Sequence, residues 1–350
     1  MTHFFLQALS EVGSISVLGL IILGVLFGIV GGSIPGFTVT MAILVVFPFT
    51  FAMDPVSGVS LMVGVFVGGY SGGIVSGVML GIPGTPSSIT TVYDGYPMAQ
   101  KGEPGRALGI GVMASFLGTI ISVAVLVFFG PLIASFSMNF RPWEITALIL
   151  FALTLVAGLS NGALLKGLLA AALGLLITTV GYDRNSNLRF DFDLPALSSG
   201  FEMLPVMIGV FAFSQLLGNI EKMRDGPDGG KGVDTNVAIP YRQIMRDMAG
   251  QKLNTLRSSL IGSLIGALPG TGGTVANFVS YDQAKKFSRH PETFGTGTPN
   301  GIVASEASNS AVAGGAFVPT LALGIPGDLP MAIMLGVLIL HGITPGPMMF

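Results

Sequence analysis

Long apolar stretches separated by short polar ones dominate this chain. A helix needs about 20 apolar residues to cross a bilayer, and stretches of this kind predict membrane helices throughout the sequence. The candidate spans are 14–33, 37–53, 56–80, 107–130, 144–160, 162–180, 201–219, 255–268, 301–325 and 331–350. Polar segments at 90–106, 181–200, 220–254 and 281–300 separate them. The pattern predicts an all-α polytopic membrane protein in which several spans are short or interrupted.

The composition agrees with a membrane protein. Of the 350 residues, 51% are hydrophobic and only 10% are charged, whereas about 25% of the residues of a soluble domain are charged. The formal net charge of −2, without a basic stripe, argues against a nucleic-acid partner. The chain has no cysteine, which excludes disulfides, thiolate metal sites and a cysteine nucleophile.

Similar proline–glycine motifs interrupt distant apolar stretches. The sequence Gly-Ile-Pro-Gly occurs at 81–84 and again at 324–327. Proline removes a helical hydrogen bond and glycine relaxes the backbone, so each motif predicts a helix that is broken at membrane depth. Another Pro-Gly pair precedes each motif by a similar interval, at Pro35-Gly36 and at Pro269-Gly270. This order predicts two homologous repeats with discontinuous or re-entrant helices, and leaves open whether they are parallel or inverted.

The repeats predict a division of the chain into three parts. Residues 1–219 would form an N-terminal transmembrane repeat with additional helices, and 255–350 a C-terminal one. Between them, 220–254 holds several Lys and Arg residues, so the positive-inside rule predicts a cytoplasmic linker. Residues 331–350 are apolar to the last position, which indicates that the C-terminal repeat is incomplete.

Small residues recur at four-residue spacing in the span at 56–80. On a helix such ladders form a smooth groove against which another backbone packs closely. Packing alone would explain them, and sliding of one bundle against another is the alternative. The first-half ladders are Gly64, Gly68, Gly72 and Ser76, and Gly69, Gly73, Gly77 and Gly81; the second half has Ala307, Ala311, Gly315, Ser310 and Gly314.

Residues at the breaks are suited to binding an anion. Where a helix restarts, its first backbone N–H groups are free, and they attract a carboxylate without a buried Lys or Arg. Small hydroxyl and amide side chains add further donors. We therefore predict a carboxylate site at Pro83, Gly84, Thr85, Ser87, Ser88, Pro269, Gly270, Thr271, Gly272, Thr274 and Asn309.

Two acidic residues are candidates for coupling transport to a cation. Glu306 lies in a serine-rich stretch, and Asp328 directly follows the second Gly-Ile-Pro-Gly motif. Each would bind a proton or a sodium ion, or would only stabilise the N-terminus of a helix, for Asp328 as its N-cap. Asp94 and Arg106 are assigned to a polar loop beside the first motif, and Arg106 is the candidate for attracting an anion.

Several motifs resemble those of the large membrane subunit of the tripartite tricarboxylate transporter family. They lie at 83–88, 93–102, 268–273, 282–286, 301–310 and 323–327, in order along nearly the whole chain. The resemblance implies a permease that imports a tricarboxylate or related organic acid across the bacterial inner membrane. It also implies a small membrane subunit and a periplasmic solute-binding protein as partners, and a sodium or proton gradient as the driving force. Members of that family are usually longer, and a homodimer is left open.

Two other functions fit parts of the sequence. Short half-helices also line selectivity filters, so a passive anion channel is the main alternative, although a channel cannot concentrate its solute. The pattern G-x-S-x-G of serine hydrolases occurs at 69–73, with His341 as the one histidine in an apolar segment. A glycine-rich helix produces this match easily. An intramembrane serine hydrolase is therefore a remote alternative, and no enzyme activity and no cofactor besides the coupling ion are predicted.

Overall fold

The computed structural model describes most of the chain outside its middle third. The described residues are 2–139, 141, 143, 144, 146, 147, 150, 164–182, 188–194, 197, 198, 200, 201, 206, 237–270 and 272–349. Contacts divide the chain into two compact units, Met1–Met138 with Gly226–Phe350, and Asn139–Asp225. Most of the predicted spans at 144–160 and 201–219, and the first part of the predicted linker, lie outside the described residues. The three-part division stays a prediction.

The described chain is almost entirely helical, as predicted. The α-helices are α1 (Thr2–Val12), α2 (Ile15–Ser33), α3 (Val39–Val46), α4 (Pro55–Leu80), α5 (Ile89–Gln100), α6 (Pro104–Ser137), α7 (Leu164–Ile177), α8 (Tyr241–Gly250), α9 (Lys252–Gly266), α10 (Gly272–Lys286), α11 (Pro299–Leu323) and α12 (Leu329–Leu340). Short 3-10 helices occupy Phe47–Ala52, Pro86–Ser88, Pro291–Thr293 and Pro347–Met349. In the second unit, β1 (Gly181–Tyr182) and β2 (Leu188–Arg189) pair in antiparallel orientation.

Helix length and surface chemistry both indicate a membrane protein. Among the described helices, α2, α4 and α6 are long and apolar enough to cross a membrane. The outer face of α6 exposes large apolar side chains such as Phe116, Val127 and Phe128, and contiguous apolar surface of this kind is unstable in water. The fold class predicted from the sequence, an all-α polytopic membrane protein, is confirmed.

Several element boundaries differ from the prediction. The span at 37–53 is the eight-residue helix α3 followed by a 3-10 helix, because Pro48 removes a backbone donor. The last span ends at Leu340 rather than 350. The polar segment at 90–106 is not a loop, since most of it forms α5 and the start of α6. The polar composition of 90–106 therefore predicted a loop wrongly. Thr91, Asp94 and Arg106 are bonded to partners elsewhere in the protein.

Each proline–glycine motif ends a helix. Gly81 caps α4 and Gly324 caps α11 in the left-handed region, with φ of 70° and 71°. Gly36, after α2, and Gly270, after α9, also have positive φ, 87° and 83°. Glycine adopts this conformation without the strain that a side chain would bring. A helix restarts after each motif, so the predicted breaks are confirmed.

Glycines bring helices within each half into backbone contact. A Cβ added at Gly28 of α2 would overlap the carbonyl oxygen of Val65 on α4. In the second half, a Cβ added at Gly262 of α9 would overlap the carbonyl oxygen of Ser308 on α11. Both pairs of helices run in parallel. The predicted ladder of Gly64, Gly68 and Gly72 faces the backbone of α2, so these glycines do pack against another backbone. Sliding of one bundle against another stays a prediction.

The contacts of the two halves correspond residue by residue. Gly32 packs against the carbonyl oxygen of Gly69, and Gly266 packs against that of Val312. Gly32 and Gly266 both stand four residues before the glycine of a Pro-Gly pair. Gly69 and Val312 both stand fifteen residues before the last glycine of a Gly-Ile-Pro-Gly motif. The two helix pairs therefore pack in the same register, and the homology of the two repeats stays a prediction.

The central helices of the two halves are antiparallel. The ring of Phe66 on α4 lies 5.7 Å from that of Phe317 on α11. One turn later on α4, the carbonyl oxygen of Tyr70 accepts a hydrogen bond of 2.9 Å from Asn309, which lies earlier on α11. Residue numbers rise along α4 as they fall along α11. The starts of α4 and α11 consequently lie at opposite ends of this pair.

Candidate functional site

Within each half, the second break is held against the first. A Cβ added at Gly84 would overlap the carbonyl oxygen of Gly32, at the end of α2. In the second half, a Cβ added at Gly327 would lie 2.8 Å from the carbonyl oxygen of Gly266. The N–H of Gly270 also donates to the carbonyl oxygen of Gly327 at 2.8 Å. Only glycine allows this approach, so the glycines of the motifs position the breaks.

The breaks of the two halves also meet each other. A Cβ added at Gly273, at the start of α10, would lie 2.8 Å from Cβ of Ser87, 3.3 Å from Oδ1 of Asn309 and 3.3 Å from Cε1 of Tyr70. One turn along α10, Nδ2 of Asn277 donates to the carbonyl oxygen of Ser87. We refer to these five residues, Tyr70, Ser87, Gly273, Asn277 and Asn309, as the polar centre. It joins segments from both halves of the first unit.

Asn309 leaves one polar atom of this centre unused. Its side chain is fully buried on α11, and its Nδ2 donates to the carbonyl oxygen of Tyr70. Its Oδ1 has no hydrogen-bond partner among the described residues. A buried polar atom without a partner costs about 1–3 kcal/mol. The polar centre therefore offers a buried acceptor, which suits a hydrogen-bond donor or a cation, among other buried polar side chains.

The hydroxyl residues after the first break largely satisfy one another. Thr85 and Ser88 form a capping box, in which each side chain accepts the backbone N–H of the other residue. The hydroxyl groups of Thr85 and Ser87 lie 3.2 Å apart. Free donors were expected at all three residues, but the hydroxyl of Ser88 donates to the carbonyl oxygen of Thr85 at 2.8 Å, and that of Thr85 donates to the hydroxyl of Ser88 at 3.4 Å. Ser87 is the member of this group that faces α10.

The other predicted binding residues lie in the same breaks. Thr274 is half-buried on α10, one residue after Gly273. Thr271 lies outside the described residues. Among the described hydrogen bonds of the polar centre, none involves the side chain of Thr274. Pro83, Pro269 and Gly272 shape the backbone of the breaks, and roles in binding for the whole predicted set stay predictions.

Glu306 is buried one turn before Asn309 on α11. Its carboxylate accepts hydrogen bonds from the hydroxyls of Thr91, at 2.6 Å, and Ser115, at 3.0 Å. In the described part of the chain no basic side chain pairs with it. A carboxylate without a cation at this depth is typical of functional rather than structural residues. The coupling role of Glu306 stays a prediction.

Asp328 has the N-cap position that was one of its two interpretations. Its Oδ1 accepts the N–H of Met331 at 2.8 Å, which caps α12. Its Oδ2 accepts a hydrogen bond from the hydroxyl of Tyr70. The carboxylate thus links α4 of the first half to the second break of the other half. A coupling role for Asp328 stays a prediction.

Asp94 is a buried structural residue that the sequence placed in a loop. It lies on α5, and its Oδ1 accepts the N–H groups of Gly295, Gly297 and Thr298 at 3.0, 2.8 and 2.9 Å. Its Oδ2 accepts a 2.8 Å hydrogen bond from the hydroxyl of Tyr281. Burial of the ring and the negative charge of Asp94 both raise the pKa of Tyr281. Asp94 therefore holds the segment that leads into α11.

Arg106 is engaged in ion pairs rather than free to attract an anion. Its guanidinium lies 2.6 Å from a carboxylate oxygen of Glu103 and 2.8 Å from one of Asp247 on α8. Two carboxylates neutralise its charge. The ion pairs of Arg106 connect α6 to α8. They give no support to the prediction that Arg106 attracts an anion.

The geometry also disfavours the hydrolase alternative. The hydroxyl of Ser71 donates to the carbonyl oxygen of Val67, one turn back on α4. His341 lies against Gly58, because a Cβ added there would overlap the imidazole ring. Gly58 precedes Ser71 by thirteen residues, which is about 20 Å along an α-helix. A serine nucleophile and its base need direct hydrogen-bond contact.

The sequence matches a known family along most of its length. The model of the Tripartite tricarboxylate transporter TctA family matches residues 18–350. The chain belongs to this family. The TctA-like resemblance seen in the motifs is thereby confirmed.

Two curated relatives of this TctA-family chain come from Agrobacterium vitis. An uncharacterized 52.8 kDa protein in the TAR-I ttuC' 3' region is 36% identical over 325 residues, which are 93% of this chain and 64% of the relative. An uncharacterized protein in the TAR-II ttuC' 3' region is 48% identical over 86 residues, 25% of this chain and 36% of the relative. The chain thus spans less than two thirds of either relative. No solved structure matches it.

Three members of the polar centre are absent from the binding residues predicted for this TctA-family chain. Tyr70 falls only within the hydrolase pattern, Gly273 only within a family motif, and Asn277 is not among the predicted residues. Asn277 follows Gly273 by four residues, so both face the same side of α10. An amide on one face of a membrane helix is the signal that would have identified it.

Proposed function

We propose that this chain is the permease part of a secondary transporter that imports a carboxylate across the bacterial inner membrane. Membership of the TctA family supports a tricarboxylate or related organic acid as the substrate. The observation that carries the proposal is the meeting of Ser87, Gly273 and Asn309, from three separate segments, inside a membrane fold. Binding sites between the halves of a transporter are typically built from such discontinuous helices.

The arrangement of the halves supports alternating access. Each half contains a parallel helix pair in the same register, and the central helices α4 and α11 are antiparallel. We infer that the halves are inverted repeats. A twofold relation of this kind gives a transporter two states of similar energy that open to opposite sides. Because glycine contacts between helices are free of side chains, they would permit one bundle of helices to slide against another during alternating access.

Individual residues have distinct proposed roles. The hydroxyl of Ser87 and the amides of Asn277 and Asn309 would contact the substrate or its coupling ion, together with the predicted Thr271 and Thr274. Glu306 would bind the coupling proton or sodium ion, because it is a buried carboxylate that no basic side chain of the described residues pairs with. The proposed partners are a small membrane subunit and a periplasmic solute-binding protein, with the lipid bilayer around the helices.

Uptake by the complete permease, reconstituted with its partner subunits in vesicles, tests this function. Labelled di- and tricarboxylates would be offered under imposed sodium or proton gradients. We expect Ser87→Ala to raise the KM for uptake about 10-fold, since a hydrogen bond from a hydroxyl to a charged group contributes about 1.5–3 kcal/mol. Asn309→Ala removes the free acceptor Oδ1, which would contact the coupling ion, and should raise the KM by a similar factor. Ser122→Ala is the matched control, because Ser122 is a buried serine of α6 whose hydroxyl bonds to Thr119.

The results separate the alternatives. Unchanged KM values in both variants would remove the polar centre from the binding site. Equilibration of the solute without accumulation under any gradient would instead indicate the passive anion channel.

A further inference from the structure

A polar cavity lies where α9, α10 and the start of α11 come together. Its volume is about 480 Å³. Its polar lining includes Arg257, Arg289, His290, Asn254, Gln251 and Asn300, and no aspartate or glutamate of the described chain lines it. Glu292, beside the rim, pairs with His290 at 3.2 Å. The lining therefore carries positive charge that the described acidic residues do not balance.

Arg257 is held in place with part of its guanidinium unused. One terminal nitrogen donates to Oδ1 of Asn254 at 2.9 Å, and the guanidinium carbon lies 5.3 Å from the ring centroid of Phe287. Its Nε is buried and has no partner among the described residues. Planar guanidinium groups with free donors bind phosphate and carboxylate well. Because Arg257 lines the cavity, its fixed guanidinium places positive charge on the cavity wall.

A network of amides fixes the floor of the cavity. Asn254 donates to Oε1 of Gln251 at 3.1 Å and to the carbonyl oxygen of Asn300 at 2.9 Å. Gln251 in turn donates to the side chain of Asn300. These bonds join the start of α9 to the start of α11. Arg257 is therefore oriented by a network that spans two helices, rather than standing free on the surface.

The rim of the cavity has the chemistry of a membrane interface. Leu253 and Phe287, both in the lining, are 81% and 72% exposed. Along α9, Leu256, Leu260 and Leu264 continue an exposed apolar stripe, which is a surface for acyl chains. Lys252 stands at its polar end. Acyl chains along this stripe would bring a lipid phosphate to Arg257.

We propose that this cavity binds the phosphate of an anionic phospholipid. Arg257 and Arg289 provide the positive charge, the Gln251, Asn254 and Asn300 network holds Arg257, and the exposed leucines of α9 contact the acyl chains. Basic pockets between membrane helices bind lipid headgroups in this way. The site is separate from the polar centre and does not depend on the transport activity.

Native mass spectrometry of the purified full chain with added phosphatidylglycerol tests the site. We expect one phosphatidylglycerol retained by the wild type and retention about 10-fold weaker in the double variant Arg257→Gln, Arg289→Gln. The matched control, Arg242→Gln with Arg246→Gln, removes the same charge from exposed positions of α8 outside the cavity. It should retain the lipid as the wild type does. Arg257→Lys, which keeps the charge but not the planar fork, should weaken retention by an intermediate factor.

Three outcomes would overturn the proposal. Equal retention by all variants would exclude Arg257 and Arg289, and equal loss in both double variants would indicate nonspecific charge attraction. Isothermal titration of lipid-depleted protein with inorganic phosphate or citrate tests whether the cavity binds a soluble anion rather than a lipid headgroup. Binding of either ion that requires Arg257, without Arg257-dependent lipid retention, would assign the cavity to a soluble anion instead.

Discussion

At the residue scale, one carboxylate joins α5 to the segment before α11. Asp94 accepts three backbone N–H groups and one tyrosine hydroxyl. In Asp94→Asn the charge is lost, and an amide NH₂ replaces one accepting oxygen. Hydrogen bonds to a buried charge are worth about 1.5–3 kcal/mol each before relaxation. We expect the variant to lower the free energy of unfolding by about 3 kcal/mol, measured as a lower Tm in detergent.

Asp282→Asn is the control for this prediction. Asp282 pairs with Lys286 at 2.7 Å, and 53% and 65% of these two side chains are exposed. Exposed ion pairs contribute between about 0 and 1 kcal/mol, so its Tm should stay within about 1 °C of the wild type. Equal shifts in both variants would show that Asp94 does not hold the segment.

The role of a single residue was predictable where its hydrogen-bond partners lie within a few positions along the chain. Asp328 follows a break directly, and an N-cap was one of its two expected roles. Asp94 was misplaced because its partners at 295–298 lie about 200 positions further along the chain, where no local pattern connects them. The same holds for Tyr70, whose contacts with Asn309 and Asp328 exist only in the folded protein.

At the element scale, the approach of α2 to α4 depends on glycine. A Cβ added at Gly28 would meet the backbone of Val65 and Gly69. Backbone cannot yield as a flexible side chain does, and overpacking costs about 1–3 kcal/mol. We therefore expect Gly28→Ala to lower the free energy of unfolding by about 2 kcal/mol, measured by thermal denaturation in detergent.

Gly19 provides a control on the same helix. A Cβ added there has nothing within 4 Å, and alanine favours a helix over glycine by about 1 kcal/mol. Gly19→Ala should leave stability unchanged or raise it slightly. A loss as large as that of Gly28→Ala would refute the explanation by backbone contact.

Helix breaks were predictable and helix extents were less so. Gly81 and Gly324 interrupt helices for a reason that lies within four residues, so the motif alone was sufficient. The segment at 90–106 was misassigned because its polar residues are buried by α11 and α8, which the sequence does not place beside it. Tertiary partners, rather than local composition, decide such boundaries.

At the scale of the molecule, the sequence left the orientation of the halves open. Counting crossings could not decide it, since several candidate spans are short and α3 is only eight residues long. The contacts of Phe66 with Phe317 and of Asn309 with Tyr70 show that α4 and α11 are antiparallel, which supports the proposed inversion of the halves. An inverted arrangement has a direct consequence for which side of the membrane each loop faces.

Because the chain has no cysteine, a single introduced thiol reports its own position. Ala52 precedes α4 and Thr296 precedes α11, both are exposed, and these helices start at opposite ends of the central pair. Residues 1–100 contain no Lys or Arg, whereas Lys101 donates to the carbonyl oxygen of Thr296 and Lys285 and Lys286 end α10 nearby in sequence. The positive-inside rule then predicts that Thr296 lies on the cytoplasmic side of the membrane and Ala52 on the outer side.

We expect a membrane-impermeant maleimide to label Ala52→Cys in spheroplasts, and Thr296→Cys only in inside-out vesicles. As a control, each variant should be labelled after solubilisation in detergent, which shows that its thiol is reactive. Labelling of both positions from one side would contradict the inverted halves. If Thr296→Cys were labelled in spheroplasts and Ala52→Cys only in inside-out vesicles, the halves would still be inverted, and only the predicted orientation in the membrane would be wrong. The antiparallel contacts of α4 and α11 place the two positions on opposite sides, whereas the basic residues alone predict which side is cytoplasmic.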